Sequence, residues 1–361
     1  MKGWRHLGLI LGLSTPAFLF SQEASSGIDV RATMTAQAVA SNVLTEEPRD
    51  GSPIAVGSRS VVYPTIKFDD HWFITAAAQL VTRPYYYSQL STVGYGAKGA
   101  ALQASLNYSR VSQKGSVLVR AGELSTAFGS FLLRYDDAEN PLVDLPSEYG
   151  YYYTAVSILP VAGAQIDATR GKFDGRVQFA NSSPANPRSI FSHDQFGNWA
   201  GGGGYTIREG FRVGVSGYRG PYLDPNYAYY FPGEESPSKL PARAVGVDAN
   251  WAHRHTTAFV EAQRFLMPYT KIPNFRESAG YLEIRQVLSP RWFVASRYGL
   301  VSTNALGRTN SIETSAGFRP NRHQLLKIDY EFEHYSSASE HPDNTLGIQF
   351  ITTLHVSAGR E

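Results

Sequence analysis

From Gly27 onward the chain alternates apolar and polar positions in segments of about ten residues. The run LLKIDYEFEHY (325–335) shows this most plainly, because Lys327, Asp329, Glu331 and Glu333 interleave with Ile328, Tyr330 and Phe332. Successive strand side chains point to opposite faces, so the run separates an apolar face from a charged one. Roughly sixteen such segments can be counted, at about 28–39, 60–68, 71–83, 99–109, 115–122, 162–170, 173–181, 197–207, 210–218, 243–252, 255–266, 278–288, 291–301, 310–319, 323–335 and 344–356. In 60–68, Val62, Pro64, Ile66 and Phe68 oppose Tyr63, Thr65 and Lys67; in 310–319, Ile312, Thr314, Ala316 and Phe318 oppose Glu313, Ser315, Gly317 and Arg319. No helical period intervenes, and the pattern predicts an all-β chain.

The connections decide how the strands are arranged. Short ones (DD after Phe68, SQKG at 112–115, GK at 171–172, REG at 208–210, HRH at 253–255, SP at 289–290, PNR at 320–322) interleave strictly with long ones. That rhythm predicts a transmembrane antiparallel β-barrel of about 16 strands, with short periplasmic turns and long external loops. Greek-key crossovers of a soluble sandwich would not keep it through so many strands. Segments of about ten residues also suit tilted strands crossing a bilayer. In such a barrel Ile328 and Tyr330 face lipid while Lys327 and Asp329 face the lumen, since a charged face cannot meet hydrocarbon. Trp72, Phe73, Trp292 and Phe293 follow short turns, where an interfacial girdle belongs, although turn packing would also explain one or two of them.

Composition narrows the functional classes. The chain has 361 residues, 13% aromatic, and no cysteine, which excludes a disulfide framework and a thiolate zinc site. Its first residues, MKGWRHLGLILGLSTPAFLFSQ, have a basic start and a short apolar stretch, as a secretory signal peptide does. Residues 1–21 are read as that signal and 22–361 as a single barrel domain; the other reading, an anchor helix, has to accommodate a short stretch with Pro16. Without Lys2 and Arg5 the 33 basic residues fall to 31, matching the 31 acidic ones, so nothing supports nucleic-acid binding.

Enzymatic chemistry finds no motif. GxSxG and HExxH are absent. His253 and His255 flank a turn arginine and read as solvated side chains rather than a metal pair. Gly201–Gly204 falls inside a strand, where small residues serve curvature or close packing rather than phosphate binding. No enzyme activity, cofactor or metal is expected.

The stretches RAGELSTAFGSFLLRYDD (120–137) and LPVAGAQIDATRGKFDGRVQFANSS (159–183) resemble the middle of Gram-negative outer-membrane porin-like barrels of the phosphate-selective porin O/P type. Arg120, Gly122, Phe128, Gly129 and Asn181 carry the match, which spans roughly residues 115–185 plus the general C-terminal pattern. The last strand departs from that family, running past Val356 to a charged tail instead of ending on an aromatic. The resemblance implies a homotrimeric, 16-stranded passive channel in the Gram-negative outer membrane. Its partners would be outer-membrane lipid and small polar solutes or ions.

On this footing the chain is expected to be a diffusion channel, with a non-conducting envelope scaffold or secretion-associated barrel as the alternative and an outer-membrane hydrolase third. The pore wall is expected to carry Arg31, Lys67, Arg120, Arg176 and Arg212 on the early strands and Glu283, Glu313, Asp329, Glu331 and Glu333 on the late ones. Asp248 and Glu261 join the late group, while Asp29, Asp167, Asp174, Arg285, Arg297 and Lys327 blur the division. A transverse field and a set of paired, solvated wall charges are both open readings. The connection 123–161 far exceeds the usual ~4–6 residues and, by the same resemblance, folds inward as a constriction; an outer lid is the other possibility. It carries Glu123, Asp136, Asp137, Glu139, Asp144 and Glu148 against Arg134, a formal charge of −5 that favours weak cation preference. Tyr227, Tyr229 and Tyr230 lie in a long external loop, where they pack or stack on sugars.

Overall fold

The computed structural model describes residues 26–42, 53–83, 85, 96–131, 135–150, 160–183, 186, 197–223, 235, 239–305, 307–336 and 342–360. The expected signal peptide, Arg134 and the tyrosines 227, 229 and 230 lie outside the described residues. Sixteen strands form the chain: β1 Ser26–Ser41, β2 Ile54–Lys67, β3 Trp72–Arg83, β4 Gly96–Ser112, β5 Gly115–Leu124, β6 Val161–Arg170, β7 Phe173–Ala180 and β8 Asn198–Arg208. They continue as β9 Phe211–Gly220, β10 Ala242–His253, β11 Thr256–Met267, β12 Phe275–Ser289, β13 Trp292–Thr303, β14 Gly307–Asn321, β15 Gln324–Tyr335 and β16 Asp343–Arg360. A single helical turn, α1 (Ser147–Gly150), lies in the connection between β5 and β6.

Each strand pairs antiparallel with its neighbours in sequence, and β16 closes on β1 from Ser26↔Arg360 to Ser41↔Thr345. The result is a closed barrel with no free edge, the one β architecture that satisfies its backbone inside hydrocarbon. Every predicted segment corresponds to a strand, but several strands are longer than the alternation suggested; β2 starts at Ile54 rather than 60. Glycines set two of the tight turns, Gly171 (φ 60°) and Gly210 (φ 74°), where a left-handed backbone is required. Arg254 takes the same conformation (φ 54°) without that help.

The two faces of β15 separate as the alternation demands. Ile328 and Tyr330 are 50% and 48% exposed on the outside, whereas Lys327 is 0% and Asp329 4% exposed on the inside. The outer face of the barrel shows the same apolar character at Val177, Val215, Val247, Leu282, Ile312 and Phe350, all exposed. A continuous apolar surface of this kind belongs in a bilayer rather than in water. The girdle expectation is corrected at Phe293, and Phe73 is only half-exposed. Trp72 and Trp292 are exposed on the outer face, but Phe293 is buried inside against Leu325 and Ile351, because a residue next to an outward one must point inward.

Candidate functional site: the barrel interior

The described residues of the connection between β5 and β6 lie against the inside of the barrel, held by inward-facing side chains of many strands. Phe128, Phe131, Leu142 and Leu145 of this segment are buried. Phe128, Phe131, Leu145 and Tyr149 join an apolar cluster with Tyr218, Tyr222, Phe265 and Tyr281 of the wall and the adjoining loop. A chain crossing the interior must find partners for its backbone groups, and here charged wall residues supply them.

Three wall groups do most of this anchoring. Lys327 of β15 donates from Nζ to the carbonyls of Asp137 (3.0 Å), Asn140 (3.1 Å) and Leu142 (2.7 Å). Glu313 of β14 accepts the amides of Val143 (3.1 Å) and Asp144 (2.8 Å) on one oxygen and Arg297 Nη1 (2.8 Å) on the other. Arg297 of β13 also donates to Glu283 Oε2 (2.8 Å), the Asp144 carbonyl (3.0 Å) and Asn140 Oδ1 (3.1 Å). The register explains the meeting, since Glu283 lies opposite Arg297 and Arg297 opposite Glu313 on adjacent strands. Further along, Glu261 of β11 accepts Ser130 N (2.9 Å), Ser130 Oγ (2.7 Å) and the Tyr149 hydroxyl (2.7 and 2.8 Å).

The other side of the segment is tied to the first strands. Asp137 accepts Thr35 Oγ1 (2.6 Å), Arg59 Nη1 (3.0 Å) and the Tyr85 hydroxyl (3.2 Å). Burial pushes the Asp137 carboxyl up, but Arg59 and Lys327 together with the Thr35 and Tyr85 hydroxyls outweigh that, and it stays below its ordinary value. Asp136 accepts the Tyr63 hydroxyl and the Ala138 amide. Asp144 Oδ1 accepts the Leu145 amide, Glu139 is exposed, and the Glu148 side chain is outside the described set.

The expected wall residues therefore divide. Glu283 and Glu313 are 0% and 1% exposed and do not face water: Glu313 holds the inward segment directly, and Glu283 holds Arg297, which does. Asp329, Glu331 and Glu333 are buried on the inner face of β15 beside them, with Glu331 directly opposite Glu313. Arg176 reaches the segment as well, donating to the Gly129 carbonyl. Arg120 and Arg212 do not stand free as a basic wall. Arg120 pairs with Asp167 at 2.7 Å, and Arg212 bridges Asp174 and Asp248, both at 2.6 Å. These pairs keep some solvent contact, with side chains 13% and 11% exposed in the first and 18%, 12% and 8% in the second. Gly214 makes room for the second set, since a Cβ there would fall 2.5 Å from Asp248 Oδ1. Arg31 lies over the Tyr63 ring at 5.8 Å, and Lys67 pairs with Asp70 of the adjoining turn at 3.4 Å.

Arg59 and Tyr63 are functional neighbours that the sequence reading did not single out. Arg59 falls before position 60, where the alternation in β2 was expected to begin. Arg297 and Lys327 were visible only as exceptions in an acidic run, and that was the signal: a lone base on an inward face rich in acids needs several acceptors at once.

No family model matches the chain, and no curated protein is similar to it in sequence. Solved structures are similar in fold. The anion-selective porin from Comamonas acidovorans has a TM-score of 0.62 at 11% identity, covering 92% of this chain and 100% of that one. Salmonella typhi OmpF, solved in complex with daunomycin, has a TM-score of 0.62 at 11% identity, covering 91% and 98%. The outer membrane channel DcaP of Acinetobacter baumannii has a TM-score of 0.62 at 9% identity, covering 93% and 99%. The chain thus has the closed 16-strand fold of outer-membrane porins.

Proposed function

We propose that this protein is an outer-membrane porin: a passive diffusion channel for small hydrophilic solutes or ions, narrowed by the segment 125–149. The observation that carries the reading is the unequal treatment of the interior wall. Along β11–β15 the segment covers the charges, while the Arg120–Asp167 pair and the Arg212 cluster stay in contact with solvent on the other arc. A closed barrel with a covered arc and a wet, charged arc suits a constricted aqueous path. Weak cation preference is supported by the acids at the segment, of which Asp137 is offset by Arg59 while Asp136 and Glu139 form no ion pair among the described residues, Lys327 and Arg285 being their nearby bases. The phosphate-selective subtype suggested by residues 115–185 would want clustered bases at this place, and bases here are engaged with carboxylates or backbone. A homotrimer is supported by the same resemblance and by a similar solved structure, Vibrio cholerae OmpT (TM-score 0.56, 10% identity), which is described in a trimer form.

Reversal potentials across a planar bilayer in a salt gradient test the assignment. Stepwise conductance with a modest preference for cations is expected, and a strong anion preference contradicts it. The second reading, a non-conducting scaffold, is favoured by the apolar cluster that Phe128, Phe131 and Tyr149 form inside the barrel. Complete electrical silence of correctly folded protein would select it.

A further inference from the structure

Four arginines stand in an arc on the outer face of the barrel, on adjacent strands β9–β12, next to the long loops. Arg219 is directly opposite Arg243. Arg243 opposes Leu266 while Arg264 opposes Val245, so Arg243 and Arg264 are diagonal neighbours. Arg264 opposes Ser278 while Leu266 opposes Arg276, which places Arg276 diagonally next in line. All four are exposed, and their inward-pointing sequence neighbours Tyr218, Ala244, Phe265 and Phe275 are buried.

Like charges placed directly opposite destabilise a sheet, and diagonal neighbours at about 7–8 Å remain within reach of long side chains. Inside the barrel the chain resolves such conflicts itself, giving Arg120, Arg212 and Arg297 carboxylates at 2.6–2.8 Å. None of the four guanidinium groups has an ion pair or hydrogen bond among the described residues. No carboxylate among the described residues supplies their counter-charge, which leaves the arc open to an external anion. Below them the outer face becomes apolar, at Val245 two residues from Arg243 and then at Val215, Val247 and Leu282.

We propose that Arg219, Arg243, Arg264 and Arg276 form a binding site for the phosphate-bearing headgroup of a membrane lipid. Guanidinium forks match phosphate oxygens in pairs and remain charged at any working pH. The apolar belt immediately below the arc gives acyl chains a surface that free phosphate would not use, so a lipid fits the site better than an inorganic ion. This inference rests on the reading that the outer face meets a bilayer, but not on conduction.

The test is a titration of detergent-solubilised protein with lipid A, a glycolipid carrying two phosphate groups, read by native mass spectrometry. Intact protein should retain lipid A, and retention should weaken as salt rises. The Arg243→Gln/Arg264→Gln variant should lose about tenfold in affinity, while Arg243→Lys/Arg264→Lys should keep much of it; heat-modifiable gel mobility confirms that both fold. Three results overturn the proposal: equal retention of dephosphorylated lipid A, equal retention by the Gln variant, or full displacement of the lipid by millimolar inorganic phosphate. Because the readout is independent of current, a barrel that binds the lipid yet conducts nothing would sink the channel reading and leave this one standing.

Discussion

Two arcs of the same barrel use the same alternation of charged inward residues for opposite ends. Along β12–β15, Glu283, Arg297, Glu313 and Lys327 are at most 2% exposed; Arg297, Glu313 and Lys327 bond the backbone of the segment lying over them, and Glu283 supports that set by pairing with Arg297. Along β5–β10, Arg120, Asp167, Arg212, Asp174 and Asp248 bond one another across strands and stay partly wet. The difference shows that an inward charge is committed to water only where no chain crosses above it. Where a chain does cross, wall charges become its anchors, because its amides and carbonyls cannot otherwise be satisfied away from water.

The comparison breaks most readily at Lys327. Lys327→Met leaves the Asp137, Asn140 and Leu142 carbonyls without their donor and strips a counter-charge from Asp137. Removing one partner of a buried charged set costs about 3–5 kcal/mol. The chain has no native cysteine, so a Val143→Cys reporter can be labelled selectively. Its reaction with a water-soluble maleimide should accelerate sharply in the Lys327→Met background, and single-channel conductance should rise.

Glu313→Gln keeps the shape but weakens the acceptor of two amides and one guanidinium. A loss of about 1–3 kcal/mol is expected, seen as a lower melting temperature and a smaller increase in reporter labelling than for Lys327→Met. On the wet arc the outcome should differ in kind. Arg212→Gln frees Asp174 and Asp248 toward solvent, which should shift the reversal potential further toward cations and leave Val143→Cys labelling unchanged. A labelling change there would erase the distinction between the arcs.

The smallest effect concerns pH. Asp137 has a folded value below its ordinary 3.8, so its anchoring is complete above about pH 4 and fades only as pH falls through the lowered value. Asp136, Arg59, Lys327 and Tyr85 are the charged or titratable groups around it. The difference in reporter labelling between the intact protein and Asp137→Asn should therefore be constant from pH 7 to about 4 and disappear below. A difference that vanished between pH 7 and 5 would contradict this assignment.

The strands and their faces were legible in the sequence because a period of two is a local signal, and β15 obeys it at every position from Lys327 to Glu333. The short and long connections were equally local and gave closure and strand number. What the sequence did not show was which inward charges would meet the crossing segment. Glu313 and Arg120 look alike as inward charges on alternating strands, yet one lies under Val143 and Asp144 and the other pairs with Asp167 of the neighbouring strand. That assignment depends on contacts far apart in sequence, 78 residues between Arg59 and Asp137 and 190 between Lys327 and Asp137, and no local pattern encodes it. Arg59 was hidden further by the apparent start of β2, since Ser58-Arg59-Ser60 breaks the apolar rhythm on the outer face.

On the proposed reading, segment 125–149 narrows an aqueous path through this barrel. Single-channel recording of the intact protein beside a deletion of residues 136–148 tests it most directly. Stepwise conductance is expected in both, with distinctly larger steps once Arg59, Lys327 and Glu313 have nothing to hold. Steps of equal size, or silence in both folded proteins, would contradict it.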